Sequence, residues 1–213
     1  ESTAVAARAR TSLEVAAQRL VRAETPPSPL AAAELTELSH VMGTDPEAAR
    51  RMRVPLAKAR SDDLAEHARI AWAVAEDANA GPALDFLQQR RAEAKDPYEL
   101  ALGANALVAA KYDPASWLEA LESLVIADGT HWASAKDPPG IETTALAAHV
   151  LASREADLAR RARAWVVTHR DRSGLWPTAT ATSAAVRAIL DEPPPPAGTD
   201  VSIAVDGRVV VEA

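Results

Sequence analysis

The chain has 213 residues, 48% hydrophobic but only 4% aromatic, and a formal net charge of −7. That length buries one sizeable core, and the predominance of alanine, leucine, arginine and glutamate over phenylalanine and tyrosine predicts an all-helical body. The absence of cysteine excludes disulfides, thiolate metal centres, a thiol nucleophile and a thioester, while arginines interspersed with carboxylates speak against a nucleic-acid or anionic-membrane surface.

Residues 3–23 carry Val5, Ala9, Leu13, Ala16 and Leu20 at steps of three and four, one stripe of an amphipathic helix that Pro26, Pro27 and Pro29 stop. A second helix is predicted over 30–41. A third begins at Asp45-Pro46 and runs to about residue 60. Ser61-Asp62-Asp63 then caps a helix over 64–79, Gly81-Pro82 separates it from one over 83–94, Asp96-Pro97 starts one over 98–110, and Asp113-Pro114 starts one over 115–127. The repeated Asp-Pro is a cap followed by a residue preset for a first helical turn.

Residues 128–140, with Gly129, His131, Trp132 and Pro138-Pro139-Gly140, are too broken for a helix and form a long loop. Helices are predicted over 142–152, 156–170 and 178–190. Those over 64–79, 98–110, 142–152 and 178–190 are apolar or small on most of their circumference. Those over 83–94, 115–127 and 156–170 have one charged face. Strict alternation of the two kinds is the pattern of a two-layer array of helix hairpins repeating about every 40 residues. Pro193-Pro194-Pro195-Pro196 stiffens a linker over 193–199, and Asp206-Gly207 between two apolar runs predicts a β-hairpin within 200–213. Because a lone hairpin is marginal in water, it reads as the start of another β domain.

Two segments carry a family resemblance. Ile141-Glu142-Thr143-Thr144-Ala145 opens one predicted inner helix, and Gly174-Leu175-Trp176-Pro177-Thr178 leads into the next, which continues to Thr182. Both resemble the thioester-containing domain of the alpha-2-macroglobulin and complement family, with its (V/I)-E-T-T-A run and its G-x-W/F-x-S/T…T segment. Where that family has S-T-Q-D-T, this chain reads Thr178-Ala179-Thr180-Ala181-Thr182, without the glutamine and aspartate. The specific part of the match covers the last third, supported upstream by Tyr98-Glu99-Leu100-Ala101-Leu102.

The resemblance implies an α/α toroid over 1–192, either partial, with the thioester half outside this chain, or thioester-less, then the linker over 193–199 and the start of a β-sandwich over 200–213. It further implies a secreted or periplasmic protein, as in bacterial members, that inhibits endopeptidases by trapping. The partners implied are other domains of the same larger chain and a protease, with no nucleic acid and no membrane insertion. No cofactor or metal is expected, and the function implied is protein–protein contact without catalysis. Glu1-Ser2-Thr3, lacking a methionine or a signal-peptide pattern, reads as an excised piece of something longer.

Each candidate residue has a competing structural role. Asp62-Asp63-Leu64-Ala65-Glu66 has the D-D-x-x-E spacing by which isoprenoid synthases hold magnesium and diphosphate, but acidic residues in a first helical turn are expected from capping alone. Glu142 and Thr143 read as helix-start residues that would share a rim with Thr178 and Thr182 if the mouth of the array binds a partner. His131 and Trp132, in the long loop, are surface candidates. His149 is expected as a hydrogen-bonded core residue. Gly174, Trp176 and Trp165 echo the triterpene-cyclase repeat and are assigned to packing: Gly174 as a left-handed cap, Trp176 folding back on Trp165 and Val166.

An enzyme on the same scaffold, terpenoid-cyclase-like or carbohydrate-active, is the alternative, and an open helical scaffold a third. Acidic pairs facing a cavity would favour the enzyme. Small or apolar rim residues would favour the interaction module.

Overall fold

The computed structural model describes residues 28–33, 36, 56–172, 176–190, 202–205 and 208–212, the last two segments as backbone. Between residues 56 and 190 the described secondary structure is entirely helical, an all-α body. The expected helix over 3–23, most of those over 30–41 and 45–60, the Pro-rich linker and the Gly174 turn lie outside the described residues.

The helices are α1 (Leu64–Val74), α2 (Gly81–Gln89), a 3-10 turn (Arg91–Glu93), α3 (Pro97–Ala109), α4 (Ala115–Ser123), α5 (Ile141–Leu151), α6 (Ala156–Thr168) and α7 (Ala179–Leu190). Helix α1 is capped by Asp63, whose carboxylate accepts from the Glu66 N–H, and α3 by Asp96, which accepts from the Tyr98 N–H. Gly81 and Pro82 do not separate two helices but open α2, since a first-turn proline gives up an N–H that has no partner there anyway. Helices α1, α2 and α4 end several residues before the predicted limits, the chain turning after Val74, Gln89 and Ser123.

Helices α1, α3, α5 and α7 lie side by side in that order, α1 on α3, α3 on α5 and α5 on α7, while α2, α4 and α6 each back the helix that precedes them. The division follows the side chains. Helix α3 buries Leu100, Ala101, Leu102, Ala104, Ala106 and Leu107 around nearly its whole circumference, whereas α2 buries only Ala83, Leu84 and Leu87. Small residues allow close approach: a Cβ on Gly103 of α3 would lie 2.2 Å from the Trp117 ring of α4.

The inner row is bent. Four helices packed flat at about 8–10 Å spacing would set the outermost two roughly 25–30 Å apart. Instead the Arg187 guanidinium of α7 lies 4.6 Å from the centroid of the Trp72 ring of α1, with the His149 ring of α5 at 6.3 Å from the same indole.

The 124–140 loop is pinned at both ends of its second half. Trp132 is fully buried and donates its indole N–H to Leu121 O at 2.7 Å, and its backbone N–H bonds the Thr144 hydroxyl. Gly140 precedes α5 at φ +74, where a Cβ would sit 2.3 Å from Trp132 O, so both the conformation and the contact require glycine. At the C-terminal end, Ser202–Val205 and Arg208–Glu212 pair antiparallel, Ile203 opposite Val211 and Val205 opposite Arg208.

Candidate functional site

The first turns of α3, α5 and α7 and the middle of α1 converge on one carboxylate. Glu142, in the first turn of α5, receives the Arg69 guanidinium of α1 on Oε1 at 2.5 Å and the Tyr98 hydroxyl of α3 on the same oxygen at 3.0 Å. Its Oε2 receives the Thr180 hydroxyl of α7 at 2.6 Å. Arg69 also donates to Tyr98. Four helices thus meet through one acid, whose side chain is 9% exposed against 6% for Arg69. Each buried polar group gains a partner, which is what makes burying the charge tolerable. Burial pushes the Tyr98 hydroxyl well above the ordinary tyrosine value, and Arg69 only partly offsets this.

Thr178 joins the same network, donating to Thr180 at 3.1 Å while accepting the Ala181 N–H at 3.0 Å. Thr143 is fully buried and faces another way: its N–H and hydroxyl both bond Asp137 Oδ2, at 2.8 and 3.0 Å. Asp137 therefore caps α5 through the Thr143 N–H, while Glu142 in the same first turn is committed to partners on other helices. Burial raises the Asp137 carboxyl above the usual range despite those two bonds.

Beside this network lies an open cavity of about 410 Å³, lined by Leu30, Asp63, Ala65, Glu66, Arg69, Tyr98 and Lys136. Asp63 caps α1 through Oδ1 and binds Lys136 Nζ through Oδ2 at 2.9 Å. The capping bond first, and the ammonium second, hold the Asp63 carboxyl below its ordinary range. Lys136 also reaches Glu99 at 3.2 Å; burial works against its charge, but the two carboxylates outweigh it and raise its pKa. The Ser61 hydroxyl donates to Glu66 Oε2 at 2.9 Å. Asp63 is thus engaged by the α1 cap and Lys136, and Glu66 by the Ser61 hydroxyl, and among the described residues no three His, Asp or Glu side chains are placed to hold a metal ion.

The other candidates fall elsewhere. Trp132, expected on a rim or contact surface, is a core residue, because its indole N–H finds a carbonyl deep between α4 and α5. His131 is half-buried and stacks on Trp165, 4.5 Å between centroids, and His169 stacks on the same indole at 3.8 Å. Trp176 is 8% exposed and donates to Val166 O at 2.8 Å, while Thr182 bonds the Trp176 backbone at 3.4 Å. Trp165 therefore serves the histidines, and Val166 receives Trp176. His149 is half-buried beside Trp72. Arg69, Lys136 and Asp137 carry no sequence expectation, and Tyr98 stands only in the run that supports the resemblance, without a site role. A lone arginine within the otherwise apolar stretch Ala68-Arg69-Ile70-Ala71-Trp72-Ala73-Val74 is the signal that marks the first of them.

No protein-family model matches the chain, and no curated protein is significantly similar to it. Among the described residues no helix is long and apolar enough to cross a membrane.

Proposed function

We propose that this chain is part or all of the helical module of an alpha-2-macroglobulin-like protein, carries no thioester of its own, and acts by protein–protein contact without catalysis of its own. In this reading the inner row closes into an α/α toroid over 1–192, and the C-terminal strand pair begins a β-sandwich. The protein works outside the cytoplasm, in the envelope or beyond it, on a protease. The convergence of α1, α3, α5 and α7 on Glu142 carries the reading. It builds a rigid polar mouth whose central carboxylate is fully committed to holding helices together, and a rigid, pre-formed face binds without an ordering cost.

The test is protection by size. An endopeptidase mixed with the protein is expected to keep its activity on a small chromogenic peptide while losing activity on a large protein substrate, with no covalent adduct on a denaturing gel. Equal activity on the large substrate with and without the protein would overturn the proposal.

One observation favours the enzyme instead: Asp63 and Glu66 both line the cavity, the acidic pair that a catalytic mouth would need. Asp63 is spent on the α1 cap and Lys136, which leaves Glu66 as the acid available for proton transfer. A screen of glycan and prenyl-diphosphate substrates decides it. Turnover abolished by Glu66→Gln would establish the enzyme, and absence of turnover supports the contact module.

A further inference from the structure

Two histidines distant in sequence, His131 in the 124–140 loop and His169 at the end of α6, share one tryptophan. The His131 ring lies within 4° of parallel to the Trp165 indole, and the His169 ring is tilted from it by 24°. Two imidazoles this close to one indole on a single face would overlap each other. They therefore lie on opposite faces, and the indole is sandwiched between them. His131 is half-buried and His169 exposed, so solvent protons reach both rings.

The hydrogen bonds fix the tautomers. The Thr130 hydroxyl donates its one proton to Asp128 Oδ1 at 2.7 Å, so it can only accept from His131 Nδ1, 3.1 Å away. The Trp165 carbonyl, 2.8 Å from His169 Nδ1, is an acceptor as well. Both rings thus carry their proton on Nδ1, and Nε2 is the atom that takes up a second one. Uptake there leaves both Nδ1 bonds in place. It also sets a cation over each face of the indole, whose quadrupole attracts cations at such distances.

Charged groups act on the stack in both directions. Asp128 lies 3.7 Å from His131 Nδ1 and favours a charge there. The Thr130 bonds foremost, and the His131 ring after them, hold the Asp128 carboxyl below the usual range, so it stays ionised. On α6, one turn before Trp165, the Arg161 guanidinium bonds Gly129 O at 3.1 Å and opposes a charge on His131. Nearer the start of α6, Arg160 pairs with Asp157, and Arg154 pairs with Glu122 of α4. Exposed Arg170, Asp171 and Arg172 follow His169. The two imidazolium ions would repel across the thickness of the indole. Water and salt screen that repulsion, which is smaller than the two ring attractions together.

We propose that His131, Trp165 and His169 form a proton-operated clasp that fastens the first half of the 124–140 loop to α6 and tightens as the surroundings acidify. Imidazole is the side chain that ordinarily changes charge between about pH 5 and pH 8. The second half of the same loop bonds Asp96 of the α3 cap through Ser134 and the first turn of α5 through Asp137. The clasp thereby sets how firmly the mouth is framed, whatever partner the mouth takes.

The experiment is amide hydrogen exchange of the whole chain at about pH 8 and about pH 5.5, read as protection factors so that the intrinsic pH dependence of exchange divides out. The reporters are the Ile126 N–H, bonded to His131 O at 3.0 Å, and the Gly129 N–H, bonded to Ile126 O at 2.7 Å. Protection at both is expected to rise about fivefold at the lower pH, the factor that two exposed cation–π contacts leave after their mutual repulsion. His131→Phe combined with His169→Phe keeps an aromatic ring on each face and takes up no proton, so the rise should vanish. His169→Gln alone, at an exposed position outside the loop, should reduce the rise to about twofold. Protection in the parent that is equal or lower at the acid pH would overturn the clasp. So would a rise that persists in the double phenylalanine variant or is undiminished in His169→Gln. Failure of protease protection with the exchange result intact would remove the function proposed above and leave the clasp standing.

Discussion

Arg69 and Glu142 are a buried ion pair, 2.5 Å apart, that joins the first inner helix to the third across 73 positions of sequence. Such a pair is costly to break and cheap to replace. Removing one partner leaves an uncompensated charge in the core, whereas exchanging both for apolar residues removes the desolvation penalty with the attraction. Arg69→Met and Glu142→Leu singly are expected to lose about 3–5 kcal/mol in urea unfolding. The double variant is expected to recover most of that loss. Additive losses would mean that the pair is not coupled.

Gly103 tests the fit of the outer layer on the inner. Exchanging a helical glycine for alanine gains up to about 1 kcal/mol in helix propensity. Here, however, the new methyl would lie 2.2 Å from the Trp117 ring, and overpacking of that kind costs about 1–3 kcal/mol. The clash wins, so Gly103→Ala is expected to lower the unfolding midpoint. In a Trp117→Leu background the same change should be neutral or stabilising, which separates steric conflict from any other effect of the glycine.

The alternation of inner and outer helices was legible because it is written in circumference: apolar all round for α3 and α5, one-sided for α2 and α6. The starts at Ser61-Asp62-Asp63, Asp96-Pro97 and Asp113-Pro114 are legible because a cap is local chemistry. Helix ends were less so. Helix α3 stops with Lys111 at φ 61, a left-handed position that glycine would have announced and lysine does not. The site was read only in part. Glu142 and Thr178 stand in the motif, but Arg69, Tyr98 and Thr180, the partners of Glu142, lie on three helices other than its own, and one sequence carries no record of which helices meet. Trp132 misled for the same reason, since a tryptophan in a broken loop looks exposed until the carbonyl that its indole reaches is known.

His67 makes the fold acid-sensitive. It is fully buried, Nε2 bonds Ala83 O at 3.0 Å, Nδ1 has no partner, and burial, offset only partly by that bond, lowers its pKa. A histidine whose folded value is depressed stays neutral in the native state, so its contribution is intact above the unfolded value near 6.5. It is lost as pH falls from there through the folded value. Stability measured by urea should therefore drop between neutral pH and pH 5. In His67→Gln that part of the drop should disappear. An unchanged pH profile in the variant would assign the acid sensitivity to other groups.

Trp176 anchors α7 on α6 through Val166 O. Trp176→Ala should cost about 3–5 kcal/mol, as large aromatic truncations in cores do. Trp176→Phe, which keeps most of the ring and deletes the N–H, leaves Val166 O short of a donor and should cost about 1–3 kcal/mol. Urea midpoints for both variants that match the parent would contradict the buried assignment.

The claim that the polar mouth is the contact face is tested most directly by carboxyl footprinting of the protein with and without bound endopeptidase. Labelling is expected to fall at Asp63 and Glu66, which line the cavity, and to stay constant at Asp85 of α2, Glu119 of α4 and Asp157 of α6 on the outer layer. Protection at those outer carboxylates, with Asp63 and Glu66 labelled as before, would contradict the account.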